Sequence, residues 1–355
     1  MRARAGAGVL VALAAGAALL AYPSHQEKKA APAGRVPLAV AWPQAQRADL
    51  PGNLRDGPLF QPELFLDART AIGTAPSPDG TAVRLLVRKP DDSVRELRRR
   101  PLPANPEFSN LAVGGDDVVW TETADGLPTQ IWAGKTGGGP ARMLTADTGD
   151  VLFYGSQWDL VVADGRVWWA AAAGAEATEI RSVALTGGAV RIRREPGTWA
   201  MSAWPWLTEG GGDQSGTTRL RNLATGRDTP IPAAGTELAT CSPAWCRVLV
   251  LSGDGLVRID LMHPDGSARQ RVAGSAASAA VTDVAILDRF EILAEAGPDA
   301  DLTGTEGLLI YDLEAGRTVD VSAAVSAAFS RNGVLWWATG DQDALVWHTL
   351  DLRTI

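Results

Sequence analysis

Cys241 and Cys246 are the only two cysteines in the chain of 355 residues, and they sit in the hexapeptide CSPAWC. Two thiols with four residues between them can form a redox couple, half of a metal site or a disulfide staple. Redox pairs usually keep two residues between the cysteines and seat the first at a helix N-terminus, which this spacing does not match. The three histidines, His25, His263 and His348, are too few and too scattered for a zinc centre, which wants three or four Cys, His or carboxylate ligands. The acidic stretch GPDADLTGTEG, residues 297 to 307, offers Asp299, Asp301 and Glu306 as weak metal candidates around Thr303. A calcium hand needs flanking helices and a glutamate at its twelfth position, so a solvated hairpin loop is the better reading; Asp341 and Asp343 in GDQDA are read the same way. No Gly-x-Ser-x-Gly pentapeptide occurs to seat a catalytic serine. No catalytic residue and no cofactor is therefore assigned.

Those residues need elements to hold them. Arg2 and Arg4 precede an uncharged Ala/Leu/Val run from Ala5 to Tyr22, the layout of an export signal. The run is also just long enough to span a bilayer as a helix, so residues 1 to 22 are read as a signal peptide or a signal anchor. Leu19 and Ala21 make a poor cleavage site, which favours the anchor. Residues 23 to 36, polar and rich in Pro and Ala, read as a tether. Beyond Tyr22 the chain carries 31 basic and 41 acidic side chains, an acidic balance that disfavours nucleic acid and anionic lipid surfaces. The basic exception is RELRRR, residues 95 to 100, expected to turn alternate arginines to solvent on an outer strand or to dock an acidic partner.

From residue 37 to 355 short β-branched and aromatic runs alternate with Gly, Asp and Pro, the pattern of an all-β domain. The runs repeat. Turn glycines Gly137, Gly187, Gly226, Gly266 and Gly316 recur 50, 39, 40 and 50 residues apart, and each follows an apolar strand. Trp120, Trp168 and Trp336 mark one interval of 48 residues and four that average 42. A period of 40 to 50 residues built from four strands is a β-propeller blade, because a four-stranded sheet has two apolar faces and buries both only between neighbours. Seven blades fit the chain, and six would fit if the weak unit around Trp204 is irregular. Tryptophan doublets such as Trp168 and Trp169 should send one ring to each neighbouring blade. The last unit lacks its outer strand, which RVPLAVAWPQ, residues 35 to 44, is expected to supply, closing the ring with an N-terminal strand.

In this repeat CSPAWC is the turn from the innermost strand of the fifth unit to the next. Export and an oxidising compartment then favour a Cys241–Cys246 disulfide, worth about 2 kcal/mol for a loop of six residues.

SPDG (77 to 80), strand pairs ending in TGG or AGRT, and a Gly turn before a short apolar strand, as in GGGPARMLT, make the chain similar to TolB-like and WD-repeat-like exported propellers of bacteria, actinobacterial ones included. The resemblance covers residues 36 to 355 and implies fold more firmly than activity. It implies a non-catalytic extracytoplasmic scaffold for a protein, peptide or cell-envelope partner, monomeric, without nucleic acid and touching membrane only through the N-terminal segment. The alternative is a propeller enzyme of lactonase or lyase type on the central channel. Scarce histidine and the lack of clustered acids on innermost strands favour the scaffold.

Overall fold

Alternating short strands and glycine turns fold into seven antiparallel meanders, each four strands deep from the axis outwards. The computed structural model describes residues 34–210, 216–297, 300–341 and 344–355. Blades 1 to 6 occupy residues 61–101, 107–145, 150–196, 199–230, 237–274 and 277–325, and blade 7 occupies 328–351 together with Arg47–Pro51. Blades 3 and 6 each carry one further short strand, Asp150–Val151 and Val36–Pro37.

The repeat behaves as its chemistry demands. All five turn glycines fall between the third and fourth strands of their blades. Gly187, Gly226, Gly266 and Gly316 have positive φ, while in the first turn Gly138 and Gly139 take that role beside Gly137. Seven apolar clusters fill the seven gaps between neighbouring blades. The tryptophan doublets divide as expected: Trp169 packs towards blade 2 and Trp168 towards blade 4, while Trp336 packs towards blade 1 and Trp337 towards blade 6. Six blades would leave one of these clusters without a second wall.

An N-terminal strand does close the ring, but its position is later than the sequence suggested. Arg47–Pro51 pairs antiparallel with Val346–Asp351, from Arg47 opposite Leu350 to Pro51 opposite Val346. Of RVPLAVAWPQ, only Val36–Pro37 is a strand, and it adds in parallel to the outer edge of blade 6. Leu38–Ala41 then forms one helical turn. Leu38 and Trp42, one turn apart, bury themselves on the cluster between blades 6 and 7. That burial uses the apolar run as a helix face instead of as a strand.

Cys241 and Cys246 are bonded, and they are register partners across the first two strands of blade 5. Both are buried in the cluster between blades 4 and 5. A disulfide points to an oxidising, extracytoplasmic compartment. No helix among the described residues is long and apolar enough to cross a membrane; residues 1 to 22 lie outside them.

Candidate functional site

The innermost strands face a channel that is not empty of protein. Between Asp150–Val151 and Val161–Ala163 the chain of blade 3 leaves its sheet and crosses towards the opposite side of the ring. Ser156 Oγ donates to Asp283 Oδ1 at 2.8 Å and Gln157 N to Asp283 Oδ2 at 3.3 Å, both in blade 6. Asn332 N, in blade 7, donates to Gln157 Oε1 at 3.2 Å. The bridge holds its own shape through Asp159, whose Oδ2 accepts from Tyr154 N and Gly155 N at 2.8 and 2.7 Å. A cavity of about 640 Å³ includes Gly155 of the bridge in its wall, and another of about 380 Å³ includes Gln157 and Trp158. Asp283 and Arg331 line both.

Arg331 ends the innermost strand of blade 7 and donates through Nη1 to Leu111 O at 2.7 Å. Three carboxyl groups feel its charge: Glu63 of blade 1, Asp159 of the bridge and Asp283 of blade 6. Among the described residues none of the three closes an ion pair with it. Glu63 is the residue of a β-bulge, since Pro62 pairs with Gly73 and Leu64 with Ile72. The bulge re-aims the Glu63 side chain into the channel. Gly73 makes the close strand approach possible, because a Cβ there would stand 2.7 Å from Pro62 Cα and closer still to Gln61 O.

Burial pushes the Glu63 carboxyl up to about 7, Arg331 opposing the rise and Glu107 adding to it. Asp159 rises to about 6 through burial, against its two backbone donors. Asp283 also rises through burial, despite Ser156, Gln157 and the nearby Arg331 and Arg247. Arg331 is lowered by the same desolvation, which the three carboxylates counter. A carboxyl group near 7 can exchange a proton at neutral pH or hold an ammonium group, and an unpaired guanidinium can hold a carboxylate or carbonyl.

The residues singled out in the sequence are elsewhere. Asp299 and Asp343 lie outside the described residues, Asp301 falls in the short helix Ala300–Thr303, and Glu306 opens a strand of blade 6. Among the described residues no group of three or more His, Cys, Asp or Glu is arranged to hold a metal ion. His263 stacks on Trp245 with ring centres 4.1 Å apart. His348 bridges Thr339 Oγ1 and Asp49 Oδ1, at 2.6 and 2.7 Å, across the closing seam. The arginines of 95 to 100 turn inwards more than outwards: Arg98 and Arg100 reach the buried Glu122 of blade 2 at 2.9 and 3.0 Å, Arg95 bonds the Thr136 carbonyl, and Arg99 alone stays at the surface with Glu96. They staple blades 1 and 2. Of the three acids only Glu63 stands on an innermost strand; the bridge brings Asp159, and the loop after Ala277–Ala279 brings Asp283, towards the same arginine. The sequence held one signal for the bridge: the 48-residue interval from Trp120 to Trp168 exceeds the later average of 42 by six.

No family model matches the chain, and no curated protein matches its sequence. Among solved structures it is similar to a puromycin-hydrolysing peptidase of Mycobacterium tuberculosis, with a TM-score of 0.55 and 15% identity over 84% of this chain and 52% of that one. A puromycin hydrolase gives 0.46 at 14% identity over 90% and 54%, and TolB from Acinetobacter baumannii gives 0.40 at 9% over 71% and 64%. The chain thus spans about half the length of the peptidase. These likenesses are of fold. The expectation of a TolB-like non-catalytic scaffold is corrected: the propeller that superposes at a TM-score of 0.55 is that of a peptidase.

Proposed function

We propose that this chain works in peptide hydrolysis, as a peptidase-related propeller that admits short peptides to a hydrolytic centre. The observation that carries this reading is the set of unpaired opposite charges around Arg331, at the boundary of two cavities. A peptide with free termini presents an ammonium and a carboxylate, which the Glu63, Asp159 and Asp283 carboxyls and the Arg331 guanidinium would hold. The bridge between Asp150–Val151 and Val161–Ala163 narrows the passage, so unfolded and short segments are selected over folded ones. Likeness in fold to a peptidase supports the reaction class. Kinship with TolB-like propellers is proposed at the level of fold and compartment, without their partner-binding role. Residues 1 to 22 act in this reading as the export signal or anchor, and residues 23 to 36 as the tether.

The test is turnover of unblocked tri- to pentapeptides by cell envelopes lacking the gene, complemented with the full chain. Wild type is expected to restore turnover, and Arg331→Gln to restore at least tenfold less. Unchanged turnover on deletion, or full restoration by Arg331→Gln, contradicts the proposal.

A further inference from the structure

Blade 4, the weakest unit in the sequence, leaves part of blade 3 uncovered. The second, third and fourth strands of blade 3 run 7, 8 and 6 residues, whereas those of blade 4 run 4 each. The overhang forms a groove of about 370 Å³ floored by Trp168, Ile180, Trp204 and Leu223. Trp168 and Trp204 lie against each other with ring centres 4.0 Å apart and planes tilted by 30°. Asp164 Oδ2 fixes Trp204 by accepting from its Nε1 at 3.1 Å.

Charge on this face is unusual for an acidic protein. Trp168 pairs with Ser182 and Ser182 with Arg191 across the sheet, so the three share one face, and Arg166 and Arg193, each two residues along, join them. Arg193 is paired with Glu195 and donates to Leu223 O at 2.9 Å. Among the described residues the Arg166 side chain donates only to Ser182, at 3.0 Å to its Oγ and 2.9 Å to its O, and the Arg191 side chain has no hydrogen bond or ion pair. Burial and the charge of Arg191 both lower the Arg166 pKa, as expected of two cations held close with no anion between them. Glu195 is shared by Arg193 and Arg221, and the chain of pairs runs on through Asp228 and Arg219 to Glu209, three guanidiniums against three carboxylates. Arg166 and Arg191 are left with Asp164 alone, so one positive charge is in surplus.

We propose that this groove binds a small monoanionic carboxylate with a planar apolar body, its ring against the Trp168–Trp204 pair and its carboxylate on Arg191 and Arg166. Guanidinium forks match carboxylates in geometry, and tryptophan faces take planar apolar groups. A single surplus charge fits a monoanion; a dianionic phosphate would leave charge uncompensated on a protein of net charge −8. The site is distinct from the channel: it shares no residue with either channel cavity.

Calorimetric titration of the full-length protein with indole-3-acetate and with its neutral amide tests this at low salt. The acid is expected to bind at least tenfold more tightly than the amide. Arg191→Ala, at an exposed position, should leave the melting temperature in place and reduce the acid to the affinity of the amide, while Arg191→Lys keeps part of the preference. Equal binding of acid and amide, binding of neither, or a preference that survives Arg191→Ala overturns the proposal.

Discussion

Arg247 and Arg331 line the same channel cavity, and their surroundings differ in one respect. Arg247 is saturated: its Nε meets the Glu291 carboxylate, its Nη2 donates to Asp283 O at 2.8 Å, and the second Glu291 oxygen accepts from Ala285 N at 2.9 Å. Glu291 is fully buried, so the pair is an internal fastening of blades 5 and 6. Arg331 has one backbone acceptor and three carboxyl groups at a distance, all shifted by burial. Saturated pairs hold a fold, while charges left without close partners beside a cavity are where a ligand gains most.

Breaking the saturated pair should have the largest effect. Glu291→Ala leaves Arg247 buried without its counterion and is expected to destabilise by about 3 to 5 kcal/mol, read by calorimetry. Arg331→Gln should cost less, because its three carboxyls can take up protons; equal losses would remove the distinction between the two arginines.

The disulfide is a second fastening, between blades 4 and 5. Reduction, or replacement of both cysteines by alanine, is expected to cost about 2 kcal/mol by the loop-entropy estimate. Thiol titration of the native protein should find no free sulfhydryl among Cys241 and Cys246.

The open cluster should show itself in pH dependence. Glu63 has a folded pKa of about 7 against an ordinary 4.5, so between those values the folded protein binds more protons than the unfolded chain. Its contribution to stability is therefore best below pH 4.5 and falls as pH rises to 7. Glu63→Gln is expected to be more stable than wild type above pH 7 by on the order of 1 kcal/mol, allowing for screening by channel water, with the gap closing at pH 4.5. A gap that does not change with pH would place Glu63 among the ordinary carboxylates.

The smallest effect belongs to the seam. Asp49 is 75% exposed where it meets His348, so Asp49→Asn should change stability by less than about 0.5 kcal/mol, measured by denaturant unfolding. Closure rests on the backbone ladder of Arg47–Pro51 and on Leu50 and Trp347 in the cluster beneath.

The propeller was legible because its signals repeat: tryptophan doublets, a glycine turn in five of the seven units, and an interval near 42 residues. The disulfide was legible once Cys241 and Cys246 fell on one hairpin. The closing strand was misplaced because residues 35 to 44 are apolar enough for either a strand or a helix face, and only the cluster between blades 6 and 7 decides for Leu38 and Trp42. Glu63, Asp159 and Asp283 were invisible as a site because no local spacing links them. Each is a lone acid in a largely apolar run, and ring closure alone brings them to Arg331. The inward arginines of 95 to 100 were misread for a related reason, since Glu122, their partner, belongs to the next blade.

The central claim is that the channel cluster is open and poised, and side-chain carboxyl titration by carbon NMR tests it most directly. The account predicts a glutamate with a midpoint near 7, assigned by its loss in Glu63→Gln and displaced by a short unblocked peptide. A Glu63 midpoint in the ordinary carboxylate range, unmoved by Arg331→Gln or by peptide, would contradict it.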